Sequence, residues 1–410
     1  MASTIMSCPR PRCASSCRPT PTISVEVAPY WRHSPPAEVG GRLRTAKVWL
    51  VIGTRPEAIK MKPVAKALAA LGVTLAVVWT GQHRALDPSH FGLDGYPSIK
   101  LDCPGMEDPH DHVAAVARAL RPLLRSSTDL LIVQGDTSSA LGGALAGFRS
   151  RVPVAHVEAG LRTHDPSLPW PEEEYRIAID ADADLLFAPT ELAAANLRSE
   201  KVPGEIHVTG NSGIDALLET ASRLPPRSLR DGGSPRLLVT CHRRESWHDG
   251  LPSIAAAVRD LASQGAEIDF LLHPNAFVAT SMRNLVDGIR GIRLLNPCGH
   301  EELLCRMRDA DLVLSDSGGI QEEAPALGVP LLVLRDKTER PEGIAARSSR
   351  LVGTDRERIV AEARRLIDDP VARAEMSRPA LPFGDGHASP RIASIIMSWL
   401  QERSLTRRLA

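Results

Sequence analysis

The sequence predicts two doubly wound α/β domains with a crevice between them, and three observations support this fold class. The length of 410 residues is more than one hydrophobic core usually organises. Apolar, β-branched segments alternate with helical segments along most of the chain, as in parallel sheets covered by helices on both faces. A Pro-, Gly-, Arg- and Ser-rich stretch from Leu224 to Pro235 interrupts this alternation once, which indicates two successive sheets.

The elements fall into two series on either side of an interdomain region placed between Val208 and Pro235. In the first series we predict strands at Lys47–Ile52, Thr74–Thr80, Leu130–Gln134, Val154–Val157 and Leu185–Ala188, and helices at Pro56–Leu71, Ser138–Phe148 and Thr190–Glu200. In the second series we predict strands at Arg236–Thr240, Ile268–Leu272, Ile292–Leu295, Leu312–Ser315 and Pro330–Leu334, and helices at Leu251–Gln264, Glu301–Ala310, Gly319–Leu327 and Asp355–Asp368. Ligands of such sheets bind beyond the carboxyl ends of the strands, so the residues that follow each strand are the candidates for a site.

Residues 1–45 precede both series and are rich in Pro, Ser and Arg. They contain Cys8, Cys13 and Cys17, but no paired His or further Cys follows closely enough to indicate a metal knuckle. We therefore expect a disordered N-terminal extension or an over-long start. The other four of the seven cysteines are scattered, which favours a reducing cytoplasm and predicts no metal site.

The charge and hydropathy of the chain exclude two classes of partner. Lys plus Arg and Asp plus Glu both number 49, so the formal net charge of zero gives no general attraction to nucleic acid or to an anionic membrane. The longest apolar stretches are far shorter than a bilayer span. Any anion-binding site must therefore be local.

Cationic side chains follow the first strand at a predicted helix start. Arg55 and Lys60 lie in the segment that begins at Gly53, where a phosphate or carboxylate could be clamped, although a simple turn with solvated charges is the alternative. Gln82 and His83 repeat the arrangement after the next strand, with a weaker signal.

Carboxylates follow the next two strands. Asp136 comes two residues after a strand, where it could instead cap a helix, and Glu158 comes directly after the neighbouring strand. His156, inside that strand, reads as a core histidine or as a residue that supports the site. Glu172 opens a helix whose acidic first turn is mostly explained by the helix dipole, and we retain it as a third candidate acid.

The second series supplies the other wall of the crevice. His242 follows its first strand, beside two arginines, and offers a proton carrier near neutral pH. Ser317, Gly318 and Gly319 join a strand to a helix, and free amides at a helix start suit a diphosphate. Glu323, one turn further on, could reach ribose hydroxyls, and Arg340 after the next strand is a further candidate clamp.

Taken together, these segments resemble the non-hydrolysing UDP-N-acetylglucosamine 2-epimerases from about Val48 to the carboxyl end. The matching segments are Gly53 to Lys60, Gly135 to Thr137, His156 to Thr163, Pro171 to Glu173, Thr209 to Asn211, His242 to Glu245, Asp316 to Pro325 and Arg350 to Asp355.

The resemblance implies a GT-B fold, a UDP-sugar bound between the domains, no cofactor and a homodimer. It implies an N-terminal domain over residues 46–215, a UDP-binding domain over 216–380, and a terminal segment 381–410 whose helix crosses back to the first domain. By position, it assigns the sugar site to Arg55, Lys60, Asp136, Glu158 and His242, the UDP site to Ser317, Gly318, Gly319, Glu323 and Arg340, a role in the chemistry to Glu172, and a possible activator site to Gln82 and His83.

The chain departs from the family pattern at several of these segments. Leu303 stands where the family has an aromatic residue near the uracil, Tyr175 replaces an Asn, and Cys241 replaces a Gly. Ala85 lies where a longer polar residue often contributes to the activator site.

The chemistry implied by the resemblance is elimination of UDP to 2-acetamidoglucal followed by re-addition, which inverts C2 and yields UDP-ManNAc from UDP-GlcNAc. This sequence needs acid/base groups at the sugar and a firmly held diphosphate. The alternatives are a GT-B glycosyltransferase, a hydrolysing 2-epimerase, and a non-catalytic UDP-sugar sensor.

Overall fold

The computed structural model of the protein describes residues 46–124, 128–226, 233–241 and 250–409. Within it are two separate sheets, and every strand pairing in both is parallel. We call the part around the first sheet the first domain and the part around the second sheet the second domain.

The first sheet has seven strands in the order β3-β2-β1-β4-β5-β6-β7. Its strands are β1 Lys47–Ile52, β2 Thr74–Trp79, β3 Ser98–Lys100, β4 Leu130–Gln134, β5 Val154–Val157, β6 Leu185–Ala188 and β7 Glu205–Val208. The chain reverses direction of travel across the sheet between β1 and β4, and such a switch point is where ligands of doubly wound sheets bind.

The second sheet has six strands in the order β10-β9-β8-β11-β12-β13. Its strands are β8 Arg236–Thr240, β9 Glu267–Leu271, β10 Ile292–Leu295, β11 Leu312–Ser315, β12 Leu331–Val333 and β13 Ser349–Leu351. Its switch point lies between β8 and β11. The predicted fold class, two doubly wound parallel α/β domains, is confirmed.

Helices cover both faces of both sheets. Those of the first series are α1 Arg55–Ala70, α2 Pro109–Leu120, α3 Ser138–Ser150, α4 Glu172–Asp180, α5 Glu191–Glu200 and α6 Ser212–Ala221. Those that follow are α7 Gly250–Ser263, α8 Ala276–Val286, α9 His300–Asp309, α10 Gly318–Leu327, α11 Pro341–Ala345, α12 Arg356–Asp368, α13 Pro370–Met376 and α14 Ala388–Leu409. In the part of the chain that the structure describes, no helix combines the length and the apolar character that crossing a membrane would require.

Alternate residues of β1 face opposite sides of the sheet and enter different cores. Leu50 and Ile52 pack into the cluster beneath α1, whereas Val51 packs with α3 on the other face. All three are fully buried. Burial of a side chain of this size contributes about 1.5–3 kcal/mol, so both faces of the strand hold the sheet between its helices.

The last helix, α14, packs against the core of the first domain. Its residues Ile392, Ile396 and Trp399 belong to the same cluster as Leu50 and Ile52 of β1. Along the sequence, the strands of the second domain therefore lie between two stretches of chain that build the first domain.

Helix α6 lies inside the segment predicted as the interdomain region. Asn211 caps it by accepting a hydrogen bond from the Gly213 amide at 2.8 Å, and Ile214 and Leu217 join the core of the second domain. An Asn cap followed by apolar residues at helical spacing was a readable signal. The predicted domain boundaries themselves stay a prediction.

Candidate functional site

Side chains from the two domains meet at the carboxyl ends of the strands. Lys60 projects from α1 and Glu158 directly follows β5, both in the first domain. Glu322 projects from α10 and Arg340 precedes α11, both in the second domain. We call these four residues the charge ring, because each cation contacts both carboxylates.

The charge ring is closed by four short contacts between the domains and within them. Lys60 Nζ lies 2.5 Å from Glu158 Oε2 and 3.0 Å from Glu322 Oε2. Arg340 donates from Nη2 to Glu158 Oε1 at 2.9 Å and from Nε to Glu322 Oε1 at 2.6 Å. All four residues are buried, so these ionic contacts are weakly screened by solvent.

The protonation of the charge ring follows from burial and from the mutual contacts. Burial opposes the charge of Lys60, but the Glu158 and Glu322 carboxylates outweigh it and raise the pKa of Lys60. Burial, the largest cause, together with the Glu322 carboxylate raises the pKa of Glu158, against the lowering effect of Lys60 and Arg340. A carboxylate whose pKa is raised is a stronger base, which suits a group that takes a proton from carbon.

Glu158 is held in an unusual backbone conformation by its neighbours. Its φ of 71° lies in the left-handed region, which favours glycine. Its amide donates to the Phe187 carbonyl at 3.1 Å, and its side chain accepts hydrogen bonds from Gln134 Nε2 at 2.9 Å and Asn211 Nδ2 at 3.3 Å. Backbone strain of this kind clusters at functional sites, where the surroundings fix a side chain in one position.

Asp136, after β4, is paired with a buried arginine from α4. Arg176 Nη2 contacts Asp136 Oδ2, and Arg176 Nη1 donates to Glu173 Oε2 at 2.8 Å. Glu173 in turn accepts hydrogen bonds from the Thr163 and His164 amides at 2.8 and 3.0 Å. A chain of polar contacts therefore fixes Asp136 from the loop that follows β5.

His156 lies behind the site, as predicted, and is fully buried. Its Nδ1 is 2.6 Å from Asp180 Oδ1, and its Nε2 is 2.8 Å from the Gly135 carbonyl oxygen, next to Asp136. Arg162 Nη2 also lies 2.8 Å from Asp180 Oδ2. Despite burial, which acts in the opposite direction, His156 and Arg162 lower the pKa of Asp180.

The predicted diphosphate turn opens α10 beside Arg340. The Ser317 amide donates to Ser315 Oγ at 3.0 Å, and Gly318 and Gly319 are the first two residues of the helix. A Cβ on Gly318 would lie 2.8 Å from Arg340 Nη1, so the absence of a side chain leaves room for the guanidinium. The turn and the charge ring thus adjoin.

Two further predicted residues lie at the boundary between the domains. Arg55 donates from Nη1 to the Cys298 carbonyl oxygen at 2.6 Å, which joins the first domain to the loop before α9. Glu323 accepts from His300 Nε2 at 2.7 Å on α9 and is directed away from the charge ring, although it follows Glu322 in sequence.

The remaining candidates are not members of the charge ring, or they lie outside the described residues. Gln82 Oε1 accepts a hydrogen bond from Ser139 Oγ at 2.7 Å, and burial lowers the pKa of His83. Glu172 is the partly exposed first residue of α4. His242, with Arg243 to Glu245, lies outside the described residues.

Sequence reasoning missed Glu322 of the charge ring, and Arg176 and Glu173, which form an ionic cluster with Asp136. All three are helical, and charged residues in helices are usually solvated or complement the dipole. The available signal was the spacing of Glu173 and Arg176, three residues apart on one helix face. Within the described ranges, no group of three or more His, Cys, Asp or Glu residues could hold a metal ion.

Two doubly wound sheets whose carboxyl-end loops meet across a shared polar site define a protein of the GT-B class. The UDP-N-acetylglucosamine 2-epimerase family matches residues 66–397. A protein of Ralstonia nicotianae, described as a probable UDP-N-acetylglucosamine 2-epimerase, is 42% identical over 372 residues, or 86% of this chain and 99% of the relative. The UDP-N-acetylglucosamine 2-epimerase of Escherichia coli K12 is 40% identical over 368 residues, or 84% and 97% of the two chains.

A crystal structure of the UDP-GlcNAc 2-epimerase from Neisseria meningitidis bound to UDP-GlcNAc is also similar. It superimposes with a TM-score of 0.81 at 35% identity, and the match covers 86% of this chain and 100% of that chain. The present chain therefore belongs to the UDP-N-acetylglucosamine 2-epimerase family.

Proposed function

We propose that this protein is a UDP-N-acetylglucosamine 2-epimerase that interconverts UDP-GlcNAc and UDP-ManNAc without net hydrolysis. The observation that carries the proposal is the charge ring, which sets a buried carboxylate, Glu158, against the two cations Lys60 and Arg340. A reaction that removes a proton and expels a diphosphate needs a base and cations side by side.

The difficulty of the reaction is that the C2 proton of the sugar is not acidic. Elimination avoids a free carbanion: the C2–H and C1–O bonds break, a C1–C2 double bond forms, and UDP leaves with the electron pair of the C1–O bond. Re-addition of UDP to C1, with protonation of C2 on the opposite face, gives the epimer. The intermediate, 2-acetamidoglucal, and UDP must both stay bound between these steps.

The candidate residues divide between these two tasks. Asp136, Glu158 and Glu172, with His242, are the candidate proton carriers. The diphosphate would be bound by three cations and by the start of α10, namely Arg55, Lys60, Arg340, Ser317, Gly318 and Gly319. The ribose would be bound by Glu323. The ionic contacts of Lys60 and Arg340 with carboxylates would then be exchanged for contacts with phosphate oxygens.

One experiment separates the proposal from its rivals. The protein is incubated with UDP-GlcNAc alone in heavy water, and products are followed by NMR. UDP-ManNAc with deuterium at C2 supports the proposal. Free ManNAc with UDP would indicate a hydrolysing enzyme, an unchanged sugar without an acceptor would favour a glycosyltransferase, and binding without exchange would indicate a sensor.

The first prediction concerns the two carboxylates that follow β4 and β5. Asp136→Asn and Glu158→Gln should each lower epimerisation by about 10²–10⁴-fold, because each removes a candidate proton carrier, while UDP still binds. Turnover is measured by NMR and UDP affinity by calorimetry. Glu191→Gln, which neutralises an exposed carboxylate on α5, is the matched control. Near-normal turnover in both test variants would remove them from the catalytic set.

Three further expectations belong to the same proposal. We propose a homodimer, which light scattering on the purified protein checks. We propose the cytoplasm as its compartment, and among the described residues Cys103, Cys241, Cys298 and Cys305 form no disulfide. Gln82 and His83 stay our candidates for binding a second, activating UDP-GlcNAc.

A further inference from the structure

Glu322 contacts both cations that the proposed function assigns to the diphosphate. Its Oε1 accepts from Arg340 Nε at 2.6 Å, and its Oε2 lies 3.0 Å from Lys60 Nζ. Only 2% of the residue is exposed. A carboxylate in this position is desolvated, and its contacts with two cations offset that cost.

The charges of the ring balance only when Glu322 is counted. Two cations face two carboxylates, and each domain contributes one residue of each sign. Arg340 also contacts its neighbour Glu339, whose other oxygen accepts a hydrogen bond from Arg335. Without Glu322, Glu158 would be the one carboxylate of the ring that Lys60 and Arg340 share. The attraction of the two cations is therefore shared between Glu158 and Glu322.

The sharing of the two cations raises the pKa of the base Glu158 and weakens the binding of the diphosphate. Burial is the largest cause of the raised pKa of Glu158, and the Glu322 carboxylate adds to it. The same carboxylate occupies N–H donors of Lys60 and Arg340 that phosphate oxygens would use, and it repels them.

We propose that Glu322 is a positioning residue that shares Lys60 and Arg340 with Glu158, which keeps Glu158 basic and limits the affinity of the site for UDP. The inference rests on the proposed function for the base and for the assignment of the two cations to the diphosphate, and on the geometry for the contacts of Glu322 with those cations. Glu322 directly precedes the candidate ribose ligand Glu323, but the role inferred for Glu322 is a different one.

The groups that face Glu158 come from several elements. They determine the pKa of Glu158 and therefore the pH dependence of the reaction. The charged groups are Lys60 from α1, Arg340 from the segment before α11 and Glu322 from α10, and the neutral donors are Gln134 from β4 and Asn211 before α6. Glu322→Gln removes one negative charge from this set with little change in shape. The pKa of Glu158 should then fall.

The test compares UDP affinity and pH dependence in Glu322→Gln and in the unaltered protein. UDP should bind about tenfold or more tightly to the variant, by calorimetry, because one competing anion is removed. Since a base works in its ionised form, the acid limb of kcat/KM for UDP-GlcNAc should move to lower pH, and kcat should fall. UDP binding that is unchanged or weaker would overturn the inference.

Two other variants make the comparison specific. Glu362→Gln changes the net charge of the protein equally, but Glu362 lies on α12 and contacts Arg350 and Arg365 away from the charge ring, so its UDP affinity should be that of the unaltered protein. Glu322→Asp keeps the charge but withdraws it by one methylene, so UDP should bind about two- to threefold more tightly. If circular dichroism shows that Glu322→Gln does not fold, Glu322→Asp takes its place in the test. UDP binding to Glu322→Asp that is no tighter than to the unaltered protein would then overturn the inference.

Failure of the proposed function gives a different pattern. If the unaltered protein does not epimerise UDP-GlcNAc but Glu322→Gln binds UDP more tightly, the epimerase proposal fails and the sharing of the two cations stands. If the unaltered protein epimerises and Glu322→Gln binds UDP no more tightly, the role of Glu322 is wrong.

Discussion

Arg176 has the largest side chain among the fully buried residues of the described chain. A guanidinium in such a place is stable only when carboxylates match its charge, and Asp136 and Glu173 do so. Burial opposes the charge of Arg176, but Asp136 and other carboxylates outweigh it and raise its pKa further. Arg176 is therefore a permanent cation behind a candidate catalytic carboxylate.

We predict that Arg176→Met lowers kcat for epimerisation about 100-fold, because Asp136 loses the contact that fixes its position. UDP affinity should change little, since Arg176 contacts none of the proposed diphosphate ligands in the structure. The variant should also be less stable by about 3–5 kcal/mol, because Glu173 is left buried without its cation. Assays therefore belong well below its melting temperature.

Arg198→Met is the control for this substitution. Arg198 lies on α5, is exposed and pairs with Glu191 at 3.4 Å, so its loss should leave kcat and stability unchanged. An Arg176→Met enzyme with the kcat of the unaltered protein would show that Asp136 does not depend on Arg176.

At this scale, the sequence revealed residues in loops better than residues in helices. Asp136 and Glu158 were predictable because each follows a strand of a parallel sheet, and such positions share one edge. The same rule did not show whether Glu322 or Glu323 belongs to the charge ring, since both lie in helix α10. Successive helix positions diverge by about 100°, which directs one carboxylate to the charge ring and the other to His300.

At the scale of elements, α14 is the clearest case of a helix held by tertiary contacts. Its first residues are fixed by Asp215, which accepts hydrogen bonds from the Ala388 and Ser389 amides at 3.1 and 2.6 Å. Further along, Ile396 is fully buried in the core of the first domain, whereas Leu405 is 59% exposed.

We predict that Ile396→Ala destabilises the protein by about 2–5 kcal/mol, since it removes buried apolar contacts and leaves a cavity. Leu405→Ala, on the same helix, should change the free energy of unfolding by less than about 0.5 kcal/mol. Urea unfolding of both variants measures the difference. Equal effects would mean that α14 does not depend on its contact with the first sheet.

Most longer elements were predictable from periodicity, but the three-residue strands β3 and β13 were not. Strand β3 has three residues with no buried side chain, and it exists because Val77 to Trp79 of β2 offer it a pairing edge. Strand β13 pairs in the same way with β12. Such strands depend on a neighbour that is remote in sequence, so local pattern carries little signal for them.

At the scale of the whole molecule, the two domains are connected by more than a linker. The charge ring, the bond from Arg55 to the Cys298 carbonyl, and a bond from Thr190 Oγ1 to Glu342 Oε1 at 2.6 Å all cross between them. Disruption of one domain would remove one of the two ring partners of each ring residue in the other domain. We therefore expect the domains to unfold together.

This expectation can be measured because the tryptophans report mainly on one domain. Four of the six belong to the first domain, namely Trp49, Trp79, Trp170 and Trp399, whereas far-ultraviolet circular dichroism reports on helices of both. The two signals should give coincident urea transitions. UDP at 100 times its Kd should shift both together, by about 2.7 kcal/mol. Two separated transitions would contradict a single cooperative unit.

The left-handed backbone of Glu158 has a consequence for how this site evolves. An L-residue in that conformation costs about 1–2 kcal/mol, a cost that glycine would largely avoid. Glycine would, however, leave Lys60 and Arg340 buried with one carboxylate fewer, which costs about 3–5 kcal/mol, so stability does not favour the exchange while both cations remain. A lineage that loses the need for the reaction should therefore lose the two cations together with Glu158, so a relative with glycine here and uncharged residues in place of Lys60 and Arg340 would mark a chain that keeps the fold after giving up the chemistry.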